Sequence, residues 1–234
     1  MELTCLGSGS SGNCYLLEHD GEALILDVGV KWKQIQQALN YDISHVVGAV
    51  ITHDHADHNR AVKDLILTGI PFFTPLFYTD VQRMKYGGFD IGAVPLKSKD
   101  GKWLHTNSDW SECKIYGFLI SVGGRRLAYF TDFEYLPMRI SQKTPVTDFL
   151  IACNHEDDME YEDSAKEYHS VLGHSALSTV KGIIQANKTD SLQNVILCHL
   201  TWAADRTKMF TEVQEVVDPT VNIYIAEAGK TYLL

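Results

Sequence analysis

The 234-residue chain is 45% hydrophobic and 21% charged, a balance that excludes disordered, collagen-like and fibrous classes and fits a soluble globular protein. Its formal net charge of −10, with Arg125-Arg126 as the only basic doublet, argues against a general basic surface for nucleic acid, although bound divalent cations would offset the charge locally. No apolar run approaches the ~20 residues that span a bilayer, and the opening MELTCLGSGSSGN lacks the basic and apolar stretches of a secretory signal, so the sequence predicts a cytoplasmic protein with no membrane partner.

In chain order, Leu3–Leu6 reads as a strand running into the loop Gly7-Ser8-Gly9-Ser10-Ser11-Gly12. Strands at Cys14–Leu17 and Ala23–Asp27 flank His19-Asp20-Gly21-Glu22, where Asp-Gly marks a hairpin. Trp32, Ile35 and Leu39 recur at helical spacing. Val46–Thr52 is a β-branched apolar run of the kind buried on both faces, and it stops at His53. Ala61, Val62, Leu65 and Leu67 predict a helix over 58–67.

Further strands are predicted at Pro71–Phe73, Tyr116–Val122, Arg126–Thr131, Phe149–Cys153, Asn194–Leu200, Ile223–Ala226 and Thr231–Leu234. Gly123-Gly124 supplies a turn, and a helix is predicted over 175–186. The polar stretch Lys97–Cys113 reads as a long surface loop, a length that tends to be functional or mobile. Meandering strands followed by strands alternating with helices suggest two sheets faced by helices, in one domain spanning 1–234. The five cysteines form no CxxC pair. Cys5, Cys153 and Cys198 lie in apolar runs, and all five read as buried reduced thiols.

The densest chemical signal is Thr52-His53-Asp54-His55-Ala56-Asp57-His58, directly after a buried strand. Imidazole and carboxylate are ligands of zinc and similar divalent metals. In an extended turn residues i and i+2 point the same way, so His53 and His55 can share one metal. Asp57 and His58, opening the next helix, can face a second metal beside it.

This run resembles the HxHxDH signature of the metallo-β-lactamase superfamily. With GSGSSGNCYLL, LILDVGV, YGFLI, YFTDFEYL, CNHEDD, GHSALST and LCHLT, nearly the whole chain is similar to the YycJ-like branch, which is related to tRNase Z and other nuclease-like phosphodiesterases. The resemblance implies an α/β (α+β) fold, a four-layer αββα sandwich with the metals at one edge of the two sheets. It implies that Asp27 braces the metal loop, that Asp132 bridges both metals, and that His199 is the last histidine ligand. His174 matches a histidine that contacts phosphate and can donate a proton to the leaving oxygen. Asn154 and His155 match the branch's NH pair. Ala152-Cys153 stand where the branch usually has a glutamate and a serine, which leaves Glu156 and Asp157 as candidates to substitute.

The branch places a third histidine of the first site shortly before a strand like YGFLI. Here that histidine is His105, twelve positions before Gly117. Either the insertion NSDWSE carries the extra length, or water or another residue such as His155 fills the place. His19, His45 and His169 match nothing and are expected at the surface.

The expected function is a metal-dependent hydrolase: a two-metal phosphodiesterase or nuclease using a metal-bridging hydroxide. Asp57 and His174 are the catalytic candidates, and His53, His55, Asp57, His58, His105, Asp132 and His199 the metal ligands. The cofactors would be two divalent ions, zinc first and manganese as the alternative, and the substrate a nucleic acid or nucleotide. A thioester or lactone hydrolase and a non-catalytic metal-binding protein of the same fold are the other readings.

Overall fold

The computed structural model describes residues 1–78, 81–107, 109–141, 143–158 and 174–234. Its first sheet holds β1 (Glu2–Gly7), β2 (Cys14–His19), β3 (Glu22–Leu26), β4 (Val46–Val50), β5 (Phe72–Phe73) and β13 (Thr231–Leu233), in the order β13-β1-β2-β3-β4-β5. The second holds β6 (Arg83–Tyr86), β7 (Phe89–Pro95), β8 (Tyr116–Val122), β9 (Arg125–Phe130), β10 (Asp148–Ala152), β11 (Asn194–Cys198) and β12 (Asn222–Ile225), in the order β12-β11-β10-β9-β8-β7-β6. Two blocks are parallel, β3-β4-β5 and β9-β10-β11-β12.

Strand periodicity explains the layering, because successive side chains leave opposite faces of a sheet. On β10, Leu150 and Ala152 join Leu24, Leu26 and Phe118 in a core between the sheets. Phe149 and Ile151 point the other way, onto α4 (Leu177–Asn187) and α5 (Arg206–Gln214), where they meet Val180, Ile184, Met209 and Val213. On β3, Ala23 and Ile25 face α1 (Trp32–Ala38) and α3 (Val62–Thr68) through Ile35 and Leu65. Helices, sheet, sheet, helices make the expected four layers.

The helix predicted over 58–67 is two pieces, α2 (Ala56–Asn59) and α3. Between them Ala61 N–H donates to Val28 C=O (2.9 Å), while Val28 N–H donates to His58 C=O (2.8 Å). Those bonds divert the backbone from an unbroken i→i−4 ladder. The β6–β7 hairpin and α5 were not predicted. Both carry local signals: Gly87-Gly88 between two short runs, with Gly87 at φ 52, and Asp205, whose carboxylate accepts from Thr207 and Lys208 N–H as an N-cap. Lys97–Cys113 is not a plain surface loop. Leu104, His105 and Cys113 are buried, and the segment closes on bridges Lys97↔Trp103 and Thr106↔Glu112. Among the described residues no helix is long and apolar enough to cross a membrane.

Candidate metal centre

In open sheets of parallel strands, ligands bind outside the carboxyl ends, and the candidate residues gather there. Asp27 follows β3, His53 lies just beyond β4, Asp132 beyond β9, Asn154 beyond β10, and His199 follows β11. Asp27, Asp132 and His199 all take left-handed backbone (φ 55, 48 and 52). That conformation is unfavourable for a side-chain-bearing residue, and it persists where the surroundings over-determine it. Here it turns the chain sharply and leaves three polar side chains at the sheet edge.

Two groups of donor atoms result. His53, His55 and His105 form one; Asp57, His58, Asp132 and His199 form the other, and within each group the atoms lie within 4.8 Å of one another. Asp132 connects them: its Oδ2 is 2.7 Å from His58 Nε2, 3.3 Å from His199 Nε2 and 3.7 Å from His53 Nε2. All seven expected ligand residues are therefore brought together.

His105 arrives through the segment that lengthened the spacing. Leu104 N–H bonds Leu96 C=O, Cys113 N–H bonds His105 C=O, and Asn107 N–H bonds Ser111 C=O, which draws Asn107 and Ser111 together. His105 Nε2 then lies 3.1 Å from His55 Nδ1. The insertion also supplies Asn107, whose Oδ1 sits 3.1 Å from His55 Nε2. A carbonyl oxygen can only accept, so Nε2 carries the hydrogen and the Nδ1 lone pair faces the group.

The buried partners of these ligands were only partly foreseen. Asp27 accepts from Thr52 N–H (2.7 Å), from the Thr52 and Tyr129 hydroxyls, and from His58 Nδ1–H (2.7 Å). This fixes the His58 ring with Nε2 towards Asp132, as a carboxylate behind a ligating imidazole does. Nothing in the sequence singled out Tyr129, which sits in an apolar run. Asn13, in the glycine-serine segment, places its Nδ2 3.0 Å from His58 Nε2 and accepts from Gly9 N–H. Ser8 Oγ accepts from His199 N–H (2.9 Å). Asn154 donates to His199 C=O and accepts from Ser175 N–H.

His174 belongs to neither donor group. Its Nδ1 is 3.3 Å from Asp132 Oδ1 and its side chain is part-exposed, in the same cavity of about 390 Å³ as His55, His105 and His199. Glu156 accepts from Asp205 N–H, and Asp157 from Ser178 N–H and Oγ–H in the first turn of α4; neither is in a donor group. His155 is buried with Nδ1 on Glu156 C=O and joins neither group. His19 and His45 are half-buried rather than at the open surface, and His169 lies outside the described residues. The five thiols are all buried and unpaired.

Charge and burial suit a cation. Burial, with His58 and His105, pushes His53 well below the usual histidine range, so its lone pair is available. Burial would raise Asp132, but His199 and His58 hold it well below the carboxylate range. Burial opposes charge on His58 too, yet Asp27 and Asp132 raise it strongly. His53 Nε2, His199 Nε2 and Asp132 Oδ1 are buried without a hydrogen-bond partner. Orphaned buried polar atoms are rare, and three converging on one space fit a metal.

Residues 7–71 match the family model described as "Metallo-beta-lactamase superfamily". That similarity, with those below, supports a metallo-β-lactamase superfamily domain. The chain is 24% identical over 224 residues to "Exodeoxyribonuclease YycJ" of Bacillus anthracis, covering 86% of this chain and 83% of that one, which supports a YycJ-like branch. The metallo-β-lactamase fold protein YhfI from Bacillus subtilis superposes with a TM-score of 0.74 at 16% identity, over 99% of this chain and 98% of that one. Human tRNase Z, short form, gives 0.61 at 12% identity, over 100% and 99%. Superfamily, relative and His/Asp groups together support a metal-dependent hydrolase of this fold.

Proposed function

We propose that the chain is a two-metal phosphodiesterase acting on nucleic acid or nucleotides. The observation that carries the reading is the pair of donor groups meeting at Asp132, with a histidine outside both groups, His174, 3.3 Å from that same carboxylate. The nuclease name of the Bacillus anthracis relative supports the substrate class. His53, His55 and His105 would hold one ion, Asp57, His58 and His199 the other, and Asp132 both. Zinc suits this imidazole-rich set, and manganese is the alternative. Bound there, the ions would supply a water of lowered pKa and positive charge against the phosphate oxygens.

The chain's own residues do the rest. Asp57 is the most exposed member of its group (24%); burial would raise its carboxyl, but His199 and His58 keep it ionised, so it can accept a hydrogen bond from the attacking water. His174 stands at the cavity with Asp132 behind it, placed to give a proton to the leaving oxygen. Asp27 and Asn154 hold His58 and His199 in position.

Loading with zinc or manganese, desalting and elemental analysis, paired with a bis-(p-nitrophenyl) phosphate assay, tests this. Two ions per chain and diester turnover are expected; metal content well below one ion per chain sinks the reading.

A further inference from the structure

The glycine-serine segment after β1 is a wall between two cavities. On one side Ser10 lines the metal cavity. On the other, Ser8, Ser11 and Gly12 line a second cleft of about 580 Å³ whose charged side chains are Arg60, Arg206 and Glu227. The wall is braced from the site: Ser8 Oγ takes His199 N–H, and Asn13 holds Gly9 against His58. Arg60 follows α2 directly and Arg206 opens α5.

Both arginines are exposed, and among the described residues neither guanidinium has an ion pair or hydrogen bond. Glu227 is already paired with Lys230 at 2.8 Å; Arg206 acts on it only at longer range. The basic doublet offers no such charge, since Arg125 pairs with buried Asp148 and Arg126 bonds Thr144 C=O. In a chain of net charge −10, two unspent guanidiniums facing one polar cleft call for an anion. The segment joining the cavities, from His199 to Arg206, carries Trp202, which is 96% exposed and touches no other ring among the described residues.

We propose that Arg60, Arg206 and Trp202 form a track for single-stranded nucleic acid, the guanidiniums holding backbone phosphates in the cleft and the indole stacking on a base beside the metal cavity. The proposal rests on the phosphodiesterase reading above. Guanidinium matches phosphate geometry bidentately. An exposed indole stacks on any base whose face is open, which a single strand offers and a duplex does not.

The test uses the full, metal-loaded chain and a fluorescent single-stranded oligonucleotide of about 12 nucleotides with cleavage-resistant phosphorothioate linkages, its binding followed by anisotropy between roughly 50 and 200 mM salt. Each phosphate contact on a single strand contributes about 0.7 to the slope of log K against log salt, so R60Q/R206Q should flatten that slope by about 1.4. Trp202→Ala should weaken binding about tenfold and leave the slope unchanged. R83Q/K85Q, which removes equal charge at the opposite edge of the second sheet, should leave the slope as in the wild type. All these side chains are exposed, so folding is spared.

An unchanged slope in R60Q/R206Q, an equal change in R83Q/K85Q, or no wild-type binding overturns the track. So does a duplex of equal length that binds as tightly and loses as much affinity in Trp202→Ala. Turnover of bis-(p-nitrophenyl) phosphate separates the two readings. Diester turnover with no slope change removes the track alone. The expected slopes without diester turnover remove the phosphodiesterase reading and leave the binding site.

Discussion

At the scale of single residues, the proposed reading makes His105 a ligand and His174 a proton donor. His105 Nε2 sits 3.1 Å from His55 Nδ1 inside the first donor group. A ligand acts through a deprotonated donor at near-fixed distance, so losing one weakens its own site most. His105→Ala should therefore lower affinity for one ion and leave the other bound, read as two separated steps in a metal titration; an unchanged titration would make His105 a bystander. His174 Nδ1 lies 3.3 Å from Asp132 Oδ1, outside both donor groups. His174→Ala should keep both ions by elemental analysis while diester turnover falls roughly 10²–10⁴-fold, the usual worth of acid–base assistance. Loss of an ion in that variant would instead place His174 among the ligands.

At the scale of elements, the strand-to-helix turn carrying the histidines is held by backbone from Asn13, just before β2, and from the β3 exit. Asn13 N–H bonds Asp57 C=O, Val28 N–H bonds His58 C=O, and Gly29 N–H bonds Asn13 C=O. Gly29 is the tight point, since a Cβ there would lie 1.6 Å from Asp57 C=O oxygen. Backbone must move to admit it. Gly29→Ala should cost about 1–3 kcal/mol of stability, as overpacking does, and displace Asp57 and His58 together. Denaturant unfolding with a parallel metal titration checks both; wild-type affinity for both ions would show that the turn tolerates the shift.

At the scale of the whole molecule, a metal bound at the proposed site would couple to folding through protons. Without metal, burial opposes charge on His58 and His199, but Asp27 and Asp132 raise the first, and Asp132 with Asp57 the second. Groups raised in the fold stabilise the metal-free protein below their unfolded pKa, and that contribution is lost as pH rises through the raised values. A bound ion displaces those protons, so the gap between loaded and metal-free protein widens with pH. At fixed free zinc, the rise in Tm on loading should be larger near pH 8 than near pH 6. A hundredfold excess over Kd is worth about 2.7 kcal/mol. Equal shifts at the two pH values would mean that no imidazole proton is exchanged for metal.

Periodicity and composition alone disclosed the strands at β1–β5 and β8–β13, because alternating and continuous apolar runs are local signals, and HxHxDH pointed to a candidate metal site, because five donors in six residues need no distant partner to be recognised. The break between α2 and α3 was not legible: it is set by Val28, about 30 residues upstream in the chain. Asn13, Ser8 and Tyr129 were equally silent, since a side chain's partner across a sheet edge leaves no spacing in the sequence. The place of His105 was left open by its twelve-residue separation from Gly117 and decided by the bond between Asn107 and Ser111 and the burial of Leu104. The sequence determined which residue types stand at the strand ends. Only the tertiary structure decided which of them meet, because donor atoms within 4.8 Å are drawn from loops whose separation along the chain is closed by the packing of two sheets.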